Sequence, residues 1–311
     1  MPNHDIAGER WRISEVCLQD GRTVGLAEFG PVSGFPIFWF HGTPGARRQV
    51  PAQAMDHADR VGARIIGVDR PGIGGSSNHH LDRVINYADD IAEVASALHI
   101  DRFGLIGLSG GGPYVLAVCA AMPDQVAAAA VLGGVAQSAG PEKATGGPVP
   151  LLRPFTKLLV RAREPLAVGA TAAIKLATPA ADFVFDLYMK FGPKSDRDFL
   201  ARPEMREMFL VDLLAASQVS FRAIIYDAVL FSRWWGFDVS DVATPVYFWH
   251  GDSDLIVPLS HGEQLADLVP NSWLSVIPGQ GHLAMLDAAE DAIDVIMTYA
   301  TAPPNSAGSR R

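Results

Sequence analysis

Gly107-Leu108-Ser109-Gly110-Gly111 sets one serine among glycines where an apolar run, Phe103 to Leu108, gives way to a helical one, Pro113 to Met122. A serine on a tight strand-to-helix turn exposes its Oγ, and a bulky neighbour would clash with the turned backbone. Small flanking residues are what such a nucleophile turn requires. The six residues before it have the length and composition of a buried strand, and Pro113 falls in the first helical turn, where a missing N–H is harmless. Ser109 is therefore expected at the C-terminal end of a central strand. The orphan N–H groups of the following helix would then point at whatever the serine attacks. The uncharged stretch from Phe103 to Pro123 is not read as a membrane span, because its glycine-rich interruption would break a helix at the bilayer centre.

Working outward, short apolar runs recur at Arg22 to Glu28, Ile37 to Phe40, Arg64 to Val68, Val126 to Leu132, Val246 to Trp249 and Trp273 to Ile277. Helical composition fills Ala88 to Leu98, Gly262 to Leu268 and Ala288 to Tyr299. This alternation predicts an α/β protein with a mostly parallel, doubly wound sheet. It lapses only between Gly133 and Ala243. There a Gly/Pro-rich approach through Gly140, Pro141, Gly146, Gly147, Pro148 and Pro150 leads into helical patterns. Val184, Leu187, Tyr188 and Phe191 share one face, as do Phe221, Ile224, Ile225 and Ala228. Residues 136–243 read as an inserted helical cap over the strand ends, between core segments 20–135 and 244–302, with 303–311 a disordered tail.

The chain has 311 residues, of which 49% are hydrophobic, enough for a large core. A net charge of −9 without any Lys/Arg-rich run speaks against a nucleic-acid surface and for small-molecule partners. The polar stretch Met1 to Arg10 lacks the apolar segment of a secretory signal, so a cytoplasmic location is expected. Cys17 and Cys119 are too few and too far apart for a disulfide framework, and His79-His80 reads as a solvated pair. No metal and no cofactor is expected.

An activated serine needs a base to take its proton and a carboxylate to hold that base in one tautomer. His282, in Gly279-Gln280-Gly281-His282-Leu283, follows the last predicted strand and precedes the last helix, which suits the base. The carboxylate lies in His250-Gly251-Asp252-Ser253-Asp254-Leu255-Ile256-Val257-Pro258. Asp254 is the preferred candidate, with Asp252 bracing the turn through backbone hydrogen bonds. Two N–H donors must meet the developing oxyanion. Gly110, directly after the nucleophile, would supply one. The loop His41-Gly42-Thr43-Pro44-Gly45 would supply the other from Thr43, with His41 bracing the loop.

In these motifs, and in Asp69-Arg70-Pro71-Gly72-Ile73-Gly74, the chain resembles cap-bearing members of the α/β-hydrolase superfamily over about residues 20–300. The order Ser109, Asp254, His282 is that superfamily's triad order. The resemblance implies that Asp69 to Gly74 is a structural turn beside the site. Epoxide hydrolases and haloalkane dehalogenases of this fold carry aspartate at the nucleophile position, and dienelactone hydrolases carry cysteine. Proline iminopeptidases, similar around Gly42 and Asp69 to Gly74, typically have tryptophan where this chain has Gly110. With a serine nucleophile, Tyr188 and Tyr226 read as packing residues. The expected activity is hydrolysis of a small or medium apolar carboxylic ester, with Phe183, Phe185, Phe191, Met205, Met208 and Phe209 divided between an acyl pocket and cap core. The alternatives are a slow-turnover ligand sensor, or a peptidase, lyase, perhydrolase or acyltransferase on the same triad.

Overall fold

The structure, a computed structural model, describes residues 10–144, 192–209 and 222–301, with short pieces between 154 and 190. The helical faces expected at Val184 to Phe191, the side chains of Phe221 and Ile224, and the tail from 303 lie outside the described residues. Eight strands form one sheet in the order β1-β2-β4-β3-β5-β6-β7-β8. They are β1 Arg12–Cys17, β2 Thr23–Phe29, β3 Phe35–Phe40, β4 Ala63–Val68, β5 Phe103–Leu108, β6 Val126–Leu132, β7 Val246–Gly251 and β8 Ser272–Ile277. β1 and β2 run antiparallel to their neighbours, and every pair from β4 to β8 is parallel.

Burial follows position in the sheet. β5 and β6 are buried at every residue, as central parallel strands covered on both faces must be, whereas the edge strands β1 and β8 have no fully buried residue. β1 extends the sheet to residues before 20. Its polar, half-exposed sequence, Arg-Ile-Ser-Glu-Val-Cys, has too little apolar content to announce itself. Helices α1 Ala52–Val61, α2 Tyr87–Ala97, α3 Gly112–Ala121, α4 Lys194–Leu200, α5 Arg222–Phe231, α6 Leu259–Leu268 and α7 Ala289–Ala300 complete the labelled elements.

The period of two along β3 divides the core. Phe38 and Phe40 face a cluster that includes residues of α2, α3 and α6, while Ile37 and Trp39 face one that includes residues of α1 and α7. Burying each of these four side chains contributes about 1.5–3 kcal/mol against leaving it exposed. Leu230, Phe231, Trp235, Phe237, Val239 and Val242 join the first cluster. The last part of the β6–β7 connection is thus packed into the core, so packing does not divide at residue 243.

The strand order places the site. The chain leaves β3 for β4 on one side and returns to β5 on the other, so the loops after β3 and β5 diverge and open a crevice at the strand C-terminal ends. The first loop is His41 to Gly45. The second begins with Ser109. No helix among the described residues is long and apolar enough to cross a membrane, and no group of three or more His, Cys, Asp or Glu among them is arranged to hold a metal ion.

Candidate active site

Ser109 follows β5 directly and opens the short 3-10 turn Ser109–Gly111 that leads into α3. Its φ is +50°, a left-handed conformation that costs a non-glycine residue energy and that the surrounding packing must hold. The glycines make that packing fit. A Cβ at Gly107 would stand 2.9 Å from the backbone of Gly111, and one at Gly111 would stand 2.2 Å from the carbonyl oxygen of Phe40.

Asp254 and His282 meet after β7 and β8. His282 Nδ1 lies 2.6 Å from Asp254 Oδ2, while Asp254 Oδ1 accepts the N–H groups of Ile256 and Val257 at 2.8 Å each. Burial alone would raise the Asp254 carboxyl. The hydrogen bond and charge of His282, with the two N–H groups, outweigh burial and hold it below its ordinary value. A carboxylate at this place fixes the proton on Nδ1 and leaves Nε2 free to accept another. Gly133, at φ +58° just after β6, packs against the pair, since a Cβ there would sit 3.3 Å from His282 Nδ1. Asp252 does something else. It is exposed, and its Oδ1 accepts from Gly279 N at 2.7 Å and Ser253 Oγ at 3.0 Å.

The loop after β3 is held from several sides. Gly42 N donates to Gln49 Oε1 at 2.6 Å, and the buried His41 ring lies 2.7 Å from the Gly42 carbonyl through Nδ1 and accepts Arg70 N at Nε2, 3.4 Å away. Burial first, then the charge of Arg70, keeps the His41 imidazole well below its ordinary value. Asp69 to Gly74 packs beside this loop. Asp69 accepts Arg47 N at 2.8 Å and Gly75 N at 2.9 Å, and the Arg70 guanidinium donates to the carbonyls of His41 and Gly42. Thr43 approaches the elbow closely, because a Cβ on Gly110 would lie 2.4 Å from Thr43 Oγ1.

Residues that motif reading passes over complete the surroundings. Thr43 Oγ1 accepts from Arg70 Nη2 at 2.7 Å and donates to Asp227 Oδ2 at 2.5 Å, across 184 residues of sequence. On the other side, Asp196 of α4 accepts the N–H groups of His282 at 3.0 Å and Ala284 at 2.9 Å. An aspartate in a polar helical stretch carries no local mark of such a role. Among the expected pocket residues, Met205 is a fully buried member of the second core cluster, with Met208 and Phe209 packed against it. Phe183, Phe185 and Phe191 lie outside the described residues. Tyr226 is buried, its ring edge-on to His80 with centroids 4.3 Å apart, so His80 packs on a ring instead of standing free in water.

The relatives of this sequence share the fold and differ in chemistry. A 2-hydroxymuconate semialdehyde hydrolase of Pseudomonas putida is 25% identical over 263 residues, covering 83% of this chain and 84% of its own. A non-heme haloperoxidase of Rhodococcus erythropolis is 26% identical over 279 residues, covering 86% and 92%. Among solved structures, an esterase from Rhodococcus sp. ECU1013 superposes with a TM-score of 0.60 at 22% identity, covering 94% of this chain and 99% of that one. The sequence matches the family model for the alpha/beta hydrolase fold over residues 36–289. That span runs from within β3 to the first residue of α7, takes in the crevice and everything around it, and establishes that the chain belongs to the alpha/beta hydrolase family.

Proposed function

We propose that this protein is a serine hydrolase that cleaves carboxylic esters of small or medium apolar substrates through an acyl-enzyme. The observation that carries the reading is the combination of Ser109 at φ +50° after β5 with the 2.6 Å Asp254–His282 pair at the same end of the sheet. Ser109 Oγ attacks the acyl carbon while His282 Nε2 takes its proton. The oxyanion that forms accepts the N–H groups of Thr43 and Gly110, an interaction stronger in the transition state than in the ground state. His282 then protonates the departing alcohol oxygen, and the same base activates water to release the acid and regenerate Ser109. Asp254 stays ionised and fixes the His282 tautomer. A relative hydrolyses a semialdehyde and a structural neighbour is an esterase, both in keeping with nucleophilic attack at a carbonyl carbon.

The test is turnover of p-nitrophenyl esters of rising acyl length by wild type and Ser109→Ala. The expected result is wild-type turnover with most of it lost in the variant. Variant activity near wild type would remove Ser109 from the chemistry. A wild type that acylates once and stalls would favour the slow-turnover sensor over the hydrolase.

A further inference from the structure

Two buried carboxylates from the β6–β7 connection each grip a different arm of the site. Asp227, 4% exposed on α5, accepts Thr43 Oγ1 at 2.5 Å and Arg70 Nη2 at 2.9 Å through Oδ2, and Tyr114 Oη at 2.5 Å through Oδ1. The same Arg70 Nη2 reaches the Gly42 carbonyl at 2.9 Å and Thr43 Oγ1 at 2.7 Å. The guanidinium also lies 5.1 Å from the centroid of the Tyr114 ring. The hydroxyl of Thr43 therefore sits between a cation and an anion and has one orientation that satisfies both. Fixing that hydroxyl fixes the Thr43 backbone beside Gly110.

Asp196, 0% exposed on α4, spends one oxygen on His282 N and the other on Ala284 N, while its neighbour Ser195 accepts Gly281 N at 2.8 Å through Oγ. Three backbone N–H groups around the histidine thus end on two adjacent residues of the connection. A Cβ on Gly281 would lie 2.5 Å from Asp196 Oδ2, so the loop passes directly over the carboxylate.

We propose that Asp227 and Asp196 are positioning residues, Asp227 for the Thr43 oxyanion donor and Asp196 for His282, which makes the β6–β7 connection a structural part of the catalytic centre. The inference rests on the roles proposed above for Ser109, Thr43 and His282. Neither carboxylate touches the reacting atoms. Each acts by holding a loop whose displacement by about 1 Å is enough to cost about 10²-fold in rate.

The experiment is steady-state kinetics on an ester that Ser109 turns over, with circular dichroism to certify folding. Asp227→Asn is expected to lower kcat by about 10- to 100-fold with KM within about twofold, since the oxyanion donor matters in the transition state. Thr43→Val removes the hydroxyl and leaves the Arg70–Asp227 pair, so it carries the test if Asp227→Asn does not fold. The double variant Thr43→Val/Asp227→Asn should be no slower than the slower single one, because both act through one contact. Asp196→Asn should lower kcat about tenfold, and combined with Thr43→Val its effect should multiply, because the two carboxylates serve different arms. Folded Asp227→Asn and Asp196→Asn with kcat within twofold of wild type would overturn the proposal, as would multiplying effects of Thr43→Val and Asp227→Asn. Wild-type turnover that survives Ser109→Ala would instead overturn the underlying site assignment.

Discussion

The elbow at Ser109 and the loops that face it are rigid for opposite reasons. The elbow is mostly self-contained. Its serine is held at φ +50° by a turn in which Gly107 lies against Gly111 and Val115, with Phe40 at the end of the adjacent strand and His41 and Thr43 after it approaching from outside. His41 to Gly45 also turns on glycines, at Gly42 and Gly45, yet its hydrogen bonds run to Gln49, Arg70 and Asp227. His282 depends on Asp254 and on Asp196, 86 residues away. Similar local composition thus conceals two kinds of construction, one built by close approach of backbone and one by imported side chains.

If the facing loops depend on distant partners, the largest effect should come from altering one such partner while the elbow stays intact. Asp254→Asn keeps an oxygen for Ile256 N and Val257 N but turns an amide donor toward His282 Nδ1. The imidazole then carries its proton on Nε2 and cannot accept one from Ser109. A drop in kcat of roughly 10⁴ is expected, with little change in fold. Asp252→Asn, at an exposed position that braces the turn to Gly279, should stay within about tenfold of wild type. Steady-state kinetics on both variants checks the ranking, and the reverse order would reassign the carboxylate.

A smaller effect separates the two constructions directly. A methyl at Gly111 would lie 2.2 Å from the Phe40 carbonyl oxygen, a backbone atom that can move only with β3. Gly111→Ala should destabilise the fold by about 1–3 kcal/mol, as overpacking does. At Gly45 the nearest atoms are those of the Gln49 side chain amide, at 2.7 Å. That side chain can rotate, at the expense of its bond to Gly42 N. Gly45→Ala should therefore lower the melting temperature less than Gly111→Ala while loosening the oxyanion loop. Equal shifts in thermal melts would mean that the loop backbone is as tightly seated as the elbow.

The same contrast explains what could be read from the sequence. The strands at Phe103–Leu108 and Val126–Leu132 were legible because central parallel strands are uniformly apolar. β1 and α1 were not, since the strand is a half-exposed edge and the helix Ala-Gln-Ala-Met-Asp-His-Ala-Asp-Arg-Val buries only Ala54, Met55 and Ala58. Ser109, Asp254 and His282 stand in glycine-marked turns after strands, a local signal. Asp196 stands in a polar helix where it looks like any solvent-facing residue, and Asp227, the one acid in the largely apolar Arg-Ala-Ile-Ile-Tyr-Asp-Ala-Val-Leu-Phe, carries a mark of burial but none of its partners. Only the fold brings them to the site, so no local spacing could announce them.

The smallest effect concerns protons. His41 remains neutral in the native state, its imidazole held well below the ordinary value by burial and then by Arg70, while in the unfolded chain it takes up a proton near the ordinary histidine value of about 6.5. The unfolded state then binds more protons, so this contribution is fully present above about pH 6.5 and is lost as pH falls from there toward the native value. The slope approaches about 1.4 kcal/mol per pH unit. His250, also lowered chiefly by burial, adds loss in the same direction. Asp69, pushed up to about 6 by burial against the pull of Arg47, works the other way, because its native carboxyl binds a proton before the unfolded one does. The elbow contributes nothing over this range: burial pushes the Tyr114 hydroxyl well up and the Cys119 thiol to about 12. Denaturant melts from pH 8 to pH 5 should therefore show stability declining as pH falls through about 6.5, with Asp69 opposing part of that decline as pH approaches 6. In His41→Asn that decline should become shallower, leaving the part that His250 carries. An unchanged decline would assign the proton to a group outside the oxyanion loop and remove the titratable brace that sets this loop apart from the elbow.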